Sequence, residues 1–255
     1  MTMHQERPEF LHRDGAETIA YHRTPGKSPG VIFLGGFMSD MSGTKATALE
    51  DWAREAGRAF LRFDYRGHGC SGGHFRDGTI SAWLEDARTV LDELTSGPQI
   101  LVGSSMGGWI ALHLALCRPD RVAGLVGIAA APDFVDWMWE ELGEEGRRCI
   151  EEEGLYRQPS AYSEEPYEIT RALIEDGRKM KLLDGPPLDV RCPVRLLQGM
   201  RDPDVPWRHA LRIAEKVVHD DVRVHFFKGG DHRLSGPEEL AFLMRVLEDM
   251  NASSG

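Results

Sequence analysis

Residues 99–115 constrain the fold of this 255-residue chain more than any other stretch, because they predict a buried strand, a sharp turn and a helix in immediate succession. Residues 100–102 are all apolar, and apolar residues recur from Met106 until Pro119, where a helix has to end. Between strand and helix lies a G-x-S-x-G pattern at 103–107. Glycine lets the chain reverse there without collisions, and the central Ser105 is left strained and exposed. We therefore predict Ser105 as a nucleophile; an ordinary glycine-rich turn is the alternative.

Alternating strand and helix patterns surround this stretch. Two short strands flank the turn dipeptide Asp14-Gly15 and predict an antiparallel edge, and residues 25–29 are predicted as a loop. Strands are predicted at 10–13, 17–23, 31–34, 59–63, 100–102, 122–128, 194–197 and 222–227, with helices near 44–55, 80–94, 106–118, 207–217 and 237–250. The alternation predicts the α/β class: a mostly parallel, eight-stranded sheet with helices on both faces and right-handed crossovers.

The alternation is interrupted at residues 133–189, where acidic residues outnumber basic ones and aromatic residues lie among them. We predict a helical cap inserted over the carboxyl edge of the sheet, and a core domain formed by residues 1–132 and 190–255. The glutamate runs are typical of solvated helix faces. Trp137 and Trp139 could line a substrate pocket under this cap or pack the cap against the sheet.

A serine hydroxyl needs a base to take its proton, and that base needs an acid to hold its tautomer. Ligands of open α/β sheets bind at the carboxyl ends of the strands, so the partners are expected in the loops that follow strands. His232 lies in a glycine-rich loop after the last predicted strand and is the predicted base. His68 also follows a strand, but it precedes the nucleophile in the chain, which is the less common order.

Three aspartates compete for the role of the acid. The spacing Gly-x-x-Asp-x-x-Val-Pro at 199–206 favours Asp202, which gives the chain order Ser, Asp, His. Asp204 follows two residues later, and Asp133 lies just after the preceding strand, where some hydrolases place their acid. A turn or helix-capping role is the alternative for Asp133 and Asp204.

An acyl-transfer reaction also needs donors for its oxyanion. The backbone N–H of Met106, the residue after the nucleophile, is one predicted donor. The second should come from the loop after the strand at 31–34, where Gly35 and Gly36 allow a sharp turn. We assign Phe37 as this donor, with Met38 as the alternative.

Composition excludes several classes of function. A net charge of −11 argues against a nucleic-acid partner, which would require a clustered basic face. The four cysteines have no zinc-ligand spacing, so neither a metal nor another cofactor is expected. No apolar stretch is long enough to span a membrane, and the first ten residues resemble neither a signal peptide nor a transit peptide. We expect a cytoplasmic location.

With these residues in place, the chain resembles the α/β-hydrolase superfamily. It is most similar to the α/β-hydrolase domain proteins whose mitochondrial animal member acts as a palmitoyl-protein thioesterase and acyl-glucuronide esterase. The segments that carry the resemblance are GKSPGVIF at 26–33, GTKA at 43–46, RFDY at 62–65, GPQILVGSSMGGW at 97–109, PSAYSEE at 159–165 in the cap, and DHR at 231–233. The resemblance covers roughly residues 15–250.

The resemblance implies that Ser105, Asp202 and His232 act as nucleophile, acid and base. It also implies cleavage of small-molecule or acylated (thio)ester substrates, such as S-acyl groups or acyl glucuronides, through an acyl-enzyme. A haloperoxidase-like or carbon–carbon-bond hydrolase on the same scaffold is the alternative enzyme, and a non-catalytic ligand-binding homologue is a third possibility. The chain departs from the superfamily in having Gly35 where a histidine is common before the oxyanion residue.

Overall fold

Eight strands form one sheet in the computed structural model, which describes residues 7–159 and 166–252. The strands are β1 (Glu9–Arg13), β2 (Ala16–Thr24), β3 (Lys27–Leu34), β4 (Arg58–Phe63), β5 (Gln99–Ser104), β6 (Val122–Ile128), β9 (Val194–Gly199) and β10 (Val222–Phe227). Their spatial order is β1-β2-β4-β3-β5-β6-β9-β10, and β2 alone runs against its two neighbours. The mostly parallel, eight-stranded sheet predicted from the sequence is therefore confirmed.

Five helices cover the two faces of this sheet. They are α1 (Thr44–Ala56), α2 (Ile80–Leu94), α3 (Met106–Cys117), α7 (Arg208–Lys216) and α8 (Pro237–Ala252). Side chains of β3 alternate between two hydrophobic clusters, because successive residues of a strand point to opposite faces. Val31 and Phe33 pack with α1 and α8 on one face. Ile32 and Leu34 pack with α2, α3 and α7 on the other.

The start of β3 differs from the sequence-based prediction, which placed a loop at 25–29. Lys27 already pairs with Arg58 of β4, and its N–H donates to Gly57 O. The pairing register then shifts before Val31. Pro29 lies in this irregular part of the strand, where a residue without an N–H interrupts no regular ladder bond.

The segment between β6 and β9 contains three helices and a small second sheet. The helices are α4 (Val135–Glu141), α5 (Gly143–Glu153) and α6 (Arg171–Lys179), and the antiparallel strands are β7 (Leu155–Gln158) and β8 (Tyr167–Thr170). The helices agree with the predicted helical content, whereas the sequence did not predict the two strands. Of the cap segment 159–165 that resembles the hydrolase relatives, residues 160–165 lie outside the described residues.

Among the described residues, no helix has both the length and the apolar composition that crossing a lipid bilayer requires. The longest, α8, has 16 residues. The helix α3 is the most apolar of the core helices, and nine of its twelve residues are buried. Its apolar character is thus explained by packing inside the protein.

Candidate active site

Ser105 occupies the turn between β5 and α3 in a conformation that L-residues rarely adopt. Its φ is 53° and its ψ is −117°, so the backbone at this residue is strained. Neighbouring backbone holds it in place: the Ser105 N–H donates to Ile128 O at 2.9 Å, and the Ala131 N–H donates to Ser105 O at 3.1 Å. The surrounding strands thus maintain the sharp turn that the G-x-S-x-G pattern predicts.

The glycines around Ser105 permit close contact between the turn and the sheet. A Cβ on Gly107 would lie 2.1 Å from the carbonyl oxygen of Leu34, at the end of β3. A Cβ on Gly103 would lie 2.3 Å from Gly107 O, and one on Gly108 would lie 2.5 Å from the Cβ of Ala130. Each distance is shorter than atoms tolerate, so larger residues at 103, 107 or 108 would push the turn away from the strands.

The loops after β9 and β10 bring Asp202 and His232 together. His232 Nδ1 lies 2.9 Å from Asp202 Oδ2, within hydrogen-bonding distance. The side chain of Asp202 is fully buried, and that of His232 is 19% exposed. An imidazole held by a buried carboxylate at Nδ1 has its other nitrogen, Nε2, available to accept a proton.

Four donors surround the Asp202 carboxylate. Oδ1 accepts the backbone N–H groups of Asp204 and Val205, each at 2.8 Å. Oδ2 accepts His232 Nδ1 and also the side-chain amide of Gln198, at 3.0 Å. Burial acts to raise the pKa of Asp202, but the bonds from His232 and the two backbone N–H groups outweigh it, so the pKa is below its usual value. Asp202 is therefore ionised at neutral pH.

The structure joins His232 to Asp202 but does not join it to Ser105. In the part of the chain that the structure describes, the side chain of His232 is hydrogen-bonded to Asp202, and Ser105 Oγ is bonded to no residue. Contacts between nucleophile and base are often long in free enzymes and tighten when substrate binds. Ser105 and His232 nevertheless belong to the same edge, since each follows the carboxyl end of a parallel strand.

The two predicted oxyanion donors belong to the two segments that meet at Ser105, the start of α3 and the loop after β3. Met106 is the first residue of α3, so no carbonyl one helical turn earlier accepts its N–H. The loop after β3 also touches the nucleophile, because a Cβ on Gly36 would lie 3.5 Å from Ser105 Cβ. Among the hydrogen bonds between described residues, none has the Phe37 N–H as its donor. Both N–H groups are thus candidates to bind an oxyanion.

Four aromatic rings from separate segments hold the side chain of Phe37, an arrangement that the sequence did not predict. Ring centroids lie 4.9 Å away for Phe75, 6.0 Å for Trp83, 5.7 Å for Phe134 and 5.8 Å for Tyr167. Phe134 directly precedes α4, and Tyr167 begins β8 in the cap. The predicted oxyanion loop is therefore packed against both the core and the cap.

The alternative site residues have structural partners of their own. Asp133 accepts the N–H groups of Leu182 and Leu183, each at 2.8 Å, and so ties the two ends of the cap segment together. His68 is buried among aromatic rings, with Nδ1 facing Arg66 O at 3.2 Å, and burial lowers its pKa to about 4. Neither residue is part of the Asp202–His232 pair.

Lys45 is a further residue near the predicted base that the sequence analysis did not single out. It lies in α1, and its ammonium group donates to the carbonyl oxygen of Arg233, next to His232. Burial and the charge of Arg233 lower the pKa of Lys45 to about 8. The sequence did offer one signal for Lys45, because it lies in the segment 43–46, which carries part of the family resemblance.

Asp202, Asp204 and His232 are also the residues that a metal ion could use. Each offers a ligand atom, and these atoms lie within 4.8 Å of one another. Both oxygens of Asp202 already accept hydrogen bonds, and His232 Nδ1 makes one of them. A bound cation would have to break the Asp202–His232 bond, so the observed geometry fits an acid–base pair better than a metal site.

Two open grooves on the described surface lie away from these residues. One, of about 470 Å³, is lined by Ser81, Glu85 and Arg88 of α2 and by Cys117. The other, of about 680 Å³, lies between the cap and the segment at 76–77. None of the five predicted site residues lines either groove.

The fold and this arrangement agree with comparisons to known proteins. Residues 31–241 match the model of the alpha/beta hydrolase family. The chain belongs to that family. It is 42% identical over 248 residues to the mitochondrial palmitoyl-protein thioesterase ABHD10 of Bos taurus, an alignment that covers 97% of this chain and 81% of the bovine protein.

Solved structures from the family superpose closely on this chain. Alpha/beta hydrolase domain-containing protein 10 from mouse has a TM-score of 0.90 and 40% identity, with 97% of this chain and 99% of that chain covered. A structure described as a hydrolase from Agrobacterium vitis S4 has a TM-score of 0.89 and 45% identity, with 95% and 98% covered. The resemblance found in the sequence is thereby confirmed.

Proposed function

We propose that this protein is a serine hydrolase that cleaves carboxylic esters or thioesters through an acyl-enzyme. The observation that carries the proposal is the 2.9 Å bond from His232 to the buried, ionised Asp202. This bond lies at the carboxyl ends of the parallel strands, where Ser105 occupies a strained turn. A held imidazole and a partly exposed serine at one sheet edge are the parts that nucleophilic acyl transfer requires.

In the proposed reaction, Ser105 Oγ attacks the acyl carbonyl carbon while His232 Nε2 takes the hydroxyl proton. The backbone N–H groups of Phe37 and Met106 stabilise the oxyanion of the tetrahedral intermediate. Collapse of this intermediate breaks the bond to the leaving alcohol or thiol, which receives the proton from His232. Water then attacks the acyl-enzyme by the same route and releases the carboxylic acid and free Ser105. Asp202 holds the imidazole in the tautomer that both steps use.

We propose acyl thioesters or acyl esters as the substrate class. Examples are S-acyl groups, carried by small molecules or by acylated proteins, and acyl glucuronides. Two observations support this class. The bovine relative, at 42% identity, is named a palmitoyl-protein thioesterase. In this chain, Phe37 packs against the apolar rings of Phe134 and Tyr167, and it directly follows Gly36, which lies close to Ser105. We also keep the cytoplasm as the proposed location of this protein.

Labelling by a fluorophosphonate probe tests the proposal directly, because such probes react with activated serines. We expect the wild type to be labelled, Ser105→Ala to be unlabelled, and Ser104→Ala to serve as a neighbouring-serine control that still reacts. Turnover should fall by about 10³-fold or more in Ser105→Ala and in His232→Ala. A labelled Ser105→Ala protein, or an unlabelled wild type, would overturn the assignment.

A substrate panel then tests the reaction class. Matched oxygen esters and thioesters should be hydrolysed, and diketones should not. Diketone cleavage without ester cleavage would instead favour the carbon–carbon-bond hydrolase. Labelling without turnover of any ester or thioester would contradict the proposed substrates while leaving Ser105 as the reactive residue.

A further inference from the structure

Gln198 lies at the carboxyl end of β9, four residues before Asp202, and is almost completely buried, with 1% exposure. The two preceding residues, Leu196 and Leu197, are apolar and also buried. A polar amide at such a position has to be accounted for by its hydrogen bonds, because an unpaired buried polar group is costly.

The Gln198 side-chain nitrogen faces three acceptors. Nε2 lies 3.0 Å from Asp202 Oδ2, 3.2 Å from Gly199 O and 3.4 Å from Val205 O. Exchange of the amide nitrogen and oxygen would turn an acceptor toward all three, so the orientation of the amide is determined by its surroundings. The amide is therefore a donor to Asp202.

The other half of the amide has no partner among the described residues. Gln198 Oε1 is buried and accepts no hydrogen bond. Leucine, which fills the neighbouring positions, would avoid this unpaired oxygen. Gln198 thus keeps an unpaired oxygen, which is unfavourable, together with an N–H donor that reaches the same oxygen of Asp202 as His232 does.

We infer that Gln198 is a positioning residue for the acid of the catalytic triad, a role that rests on the proposed function. Its amide fixes the rotation of the Asp202 carboxylate, so that Oδ2 stays directed at His232 Nδ1. It also shares the negative charge of that oxygen with His232. Gln198 itself touches neither Ser105 nor the reacting carbonyl in this scheme; it acts through Asp202.

Loss of this donor changes two properties of the site. The carboxylate keeps three of its four donors and gains freedom to rotate, which misaligns the imidazole. Its charge is also less neutralised, so it attracts the protonated imidazole more strongly. The other charged groups around His232 include Asp204, Asp231, Arg233 and Lys45 of α1, and a change at Gln198 leaves all of them in place.

Two variants, Gln198→Leu and Gln198→Met, remove the donor while filling the space with an apolar side chain. Gln99→Leu is a matched control, because Gln99 is also a buried β-strand glutamine whose Nε2 donates to Ser96 O at 2.8 Å and Gly97 O at 3.3 Å. It lies at the first residue of β5, at the opposite end of the sheet. If Gln198→Leu does not fold, the Met variant, with its more adaptable side chain, decides the question.

The measurements are kcat and KM for a thioester, and the rate of Ser105 phosphonylation, each as a function of pH. We expect the folded Gln198 variants to lose roughly 10- to 100-fold in kcat, the equivalent of one hydrogen bond to a charged group, with KM nearly unchanged. The acid limb of kcat/KM should move to higher pH. Gln99→Leu should keep its rate and its pH profile even where it lowers the melting temperature.

Folded Gln198 variants with wild-type kcat and an unmoved acid limb would overturn the inference while leaving the proposed function intact. A slower variant whose acid limb stays in place would also overturn it, because lost packing alone would then explain the rate. Failure of the wild type to react at Ser105 would instead overturn the proposed function itself.

Discussion

Replacement of Asp202 by asparagine preserves the size of the side chain but changes what its atoms can accept. In the wild type, one carboxylate oxygen accepts two backbone N–H groups and the other accepts His232 and Gln198. Asparagine has a single oxygen to accept these bonds and an NH₂ group that can only donate. No orientation of the amide satisfies all four donors.

Each of the two orientations has a definite consequence. With its oxygen toward the N–H groups of Asp204 and Val205, the introduced amide turns its nitrogen toward His232 Nδ1. The imidazole must then accept at Nδ1 and carry its proton on Nε2, where it cannot take the proton of Ser105. With its oxygen toward His232, the amide nitrogen faces two buried backbone donors, at a cost of about 1–3 kcal/mol for each group left unpaired. The first orientation is therefore favoured, and it holds the wrong tautomer.

The magnitude follows from the tautomer. A wrongly protonated imidazole in a triad lowers kcat by about 10⁴-fold, which corresponds to roughly 5.5 kcal/mol of transition-state stabilisation. Substrate binding does not use this hydrogen bond, so KM should change little. The thermal midpoint should fall by several degrees, because the variant loses the hydrogen bond from Gln198 to a charged group, which is worth about 1.5–3 kcal/mol.

The assay is steady-state hydrolysis of a thioester, with phosphonylation of Ser105 as an independent measure. Asp204→Asn is the matched control, since Asp204 lies two residues away in the same loop. It bonds Asp202 through its backbone N–H, which the asparagine variant keeps. We expect Asp204→Asn to keep most of the activity. A folded Asp202→Asn protein that is more active than Asp204→Asn would show that the wrong acid has been assigned.

Two further predictions concern the substrate and metals. Trp137 contacts Phe134 beside the predicted oxyanion loop, whereas Trp139 lies under the guanidinium of Arg178, 4.9 Å from its ring centroid. Lengthening the acyl chain should therefore raise kcat/KM by about fourfold per methylene until the pocket is full, from roughly 0.8 kcal/mol per buried CH₂. Trp137→Ala should flatten this dependence more than Trp139→Ala, and a profile that peaks at acetyl would contradict acyl binding under the cap. Activity should also survive prolonged incubation with EDTA; loss that a divalent ion restores would show that the aspartates and His232 hold a metal.

The sheet and the turn at Ser105 could be predicted because their sequence signals are local. Strands buried on both faces need uninterrupted apolar residues, and residues 100–102 have them. The glycines at 103, 107 and 108 are required by contacts with β3, α3 and the end of β6, so they appear in the sequence as a pattern around Ser105. The strands β7 and β8 gave no such signal, since each has only four residues and is partly exposed.

Sequence spacing favours Asp202 among the acidic residues, and the structure adds the contacts of each carboxylate. Asp133 and Asp202 both follow strands at the carboxyl edge, and both carboxylates accept two backbone N–H groups. They differ in their distant partners: Asp133 accepts from Leu182 and Leu183, about fifty residues away, whereas Asp202 also bonds His232. Spacing predicted the partnership of Asp202 with His232, but the bonds from Asp133 to residues 182 and 183 depend on how the segment between β6 and β9 folds back, and no local pattern signals them.

Phe37 shows how the core and the cap meet at the candidate site. Its backbone N–H donates to no described residue, and the preceding Gly36 lies close to Ser105. Its ring is enclosed by Phe75 and Trp83 from the core and by Phe134 and Tyr167 from the cap side. Three of these contacts are edge-to-face and the one with Tyr167 is tilted; together they fix the orientation of the ring, and thereby restrain the backbone that carries it. A donor for an oxyanion is useful when its direction is set before the charge develops. The cap segment therefore contributes to the geometry of the proposed oxyanion site through packing on one side chain.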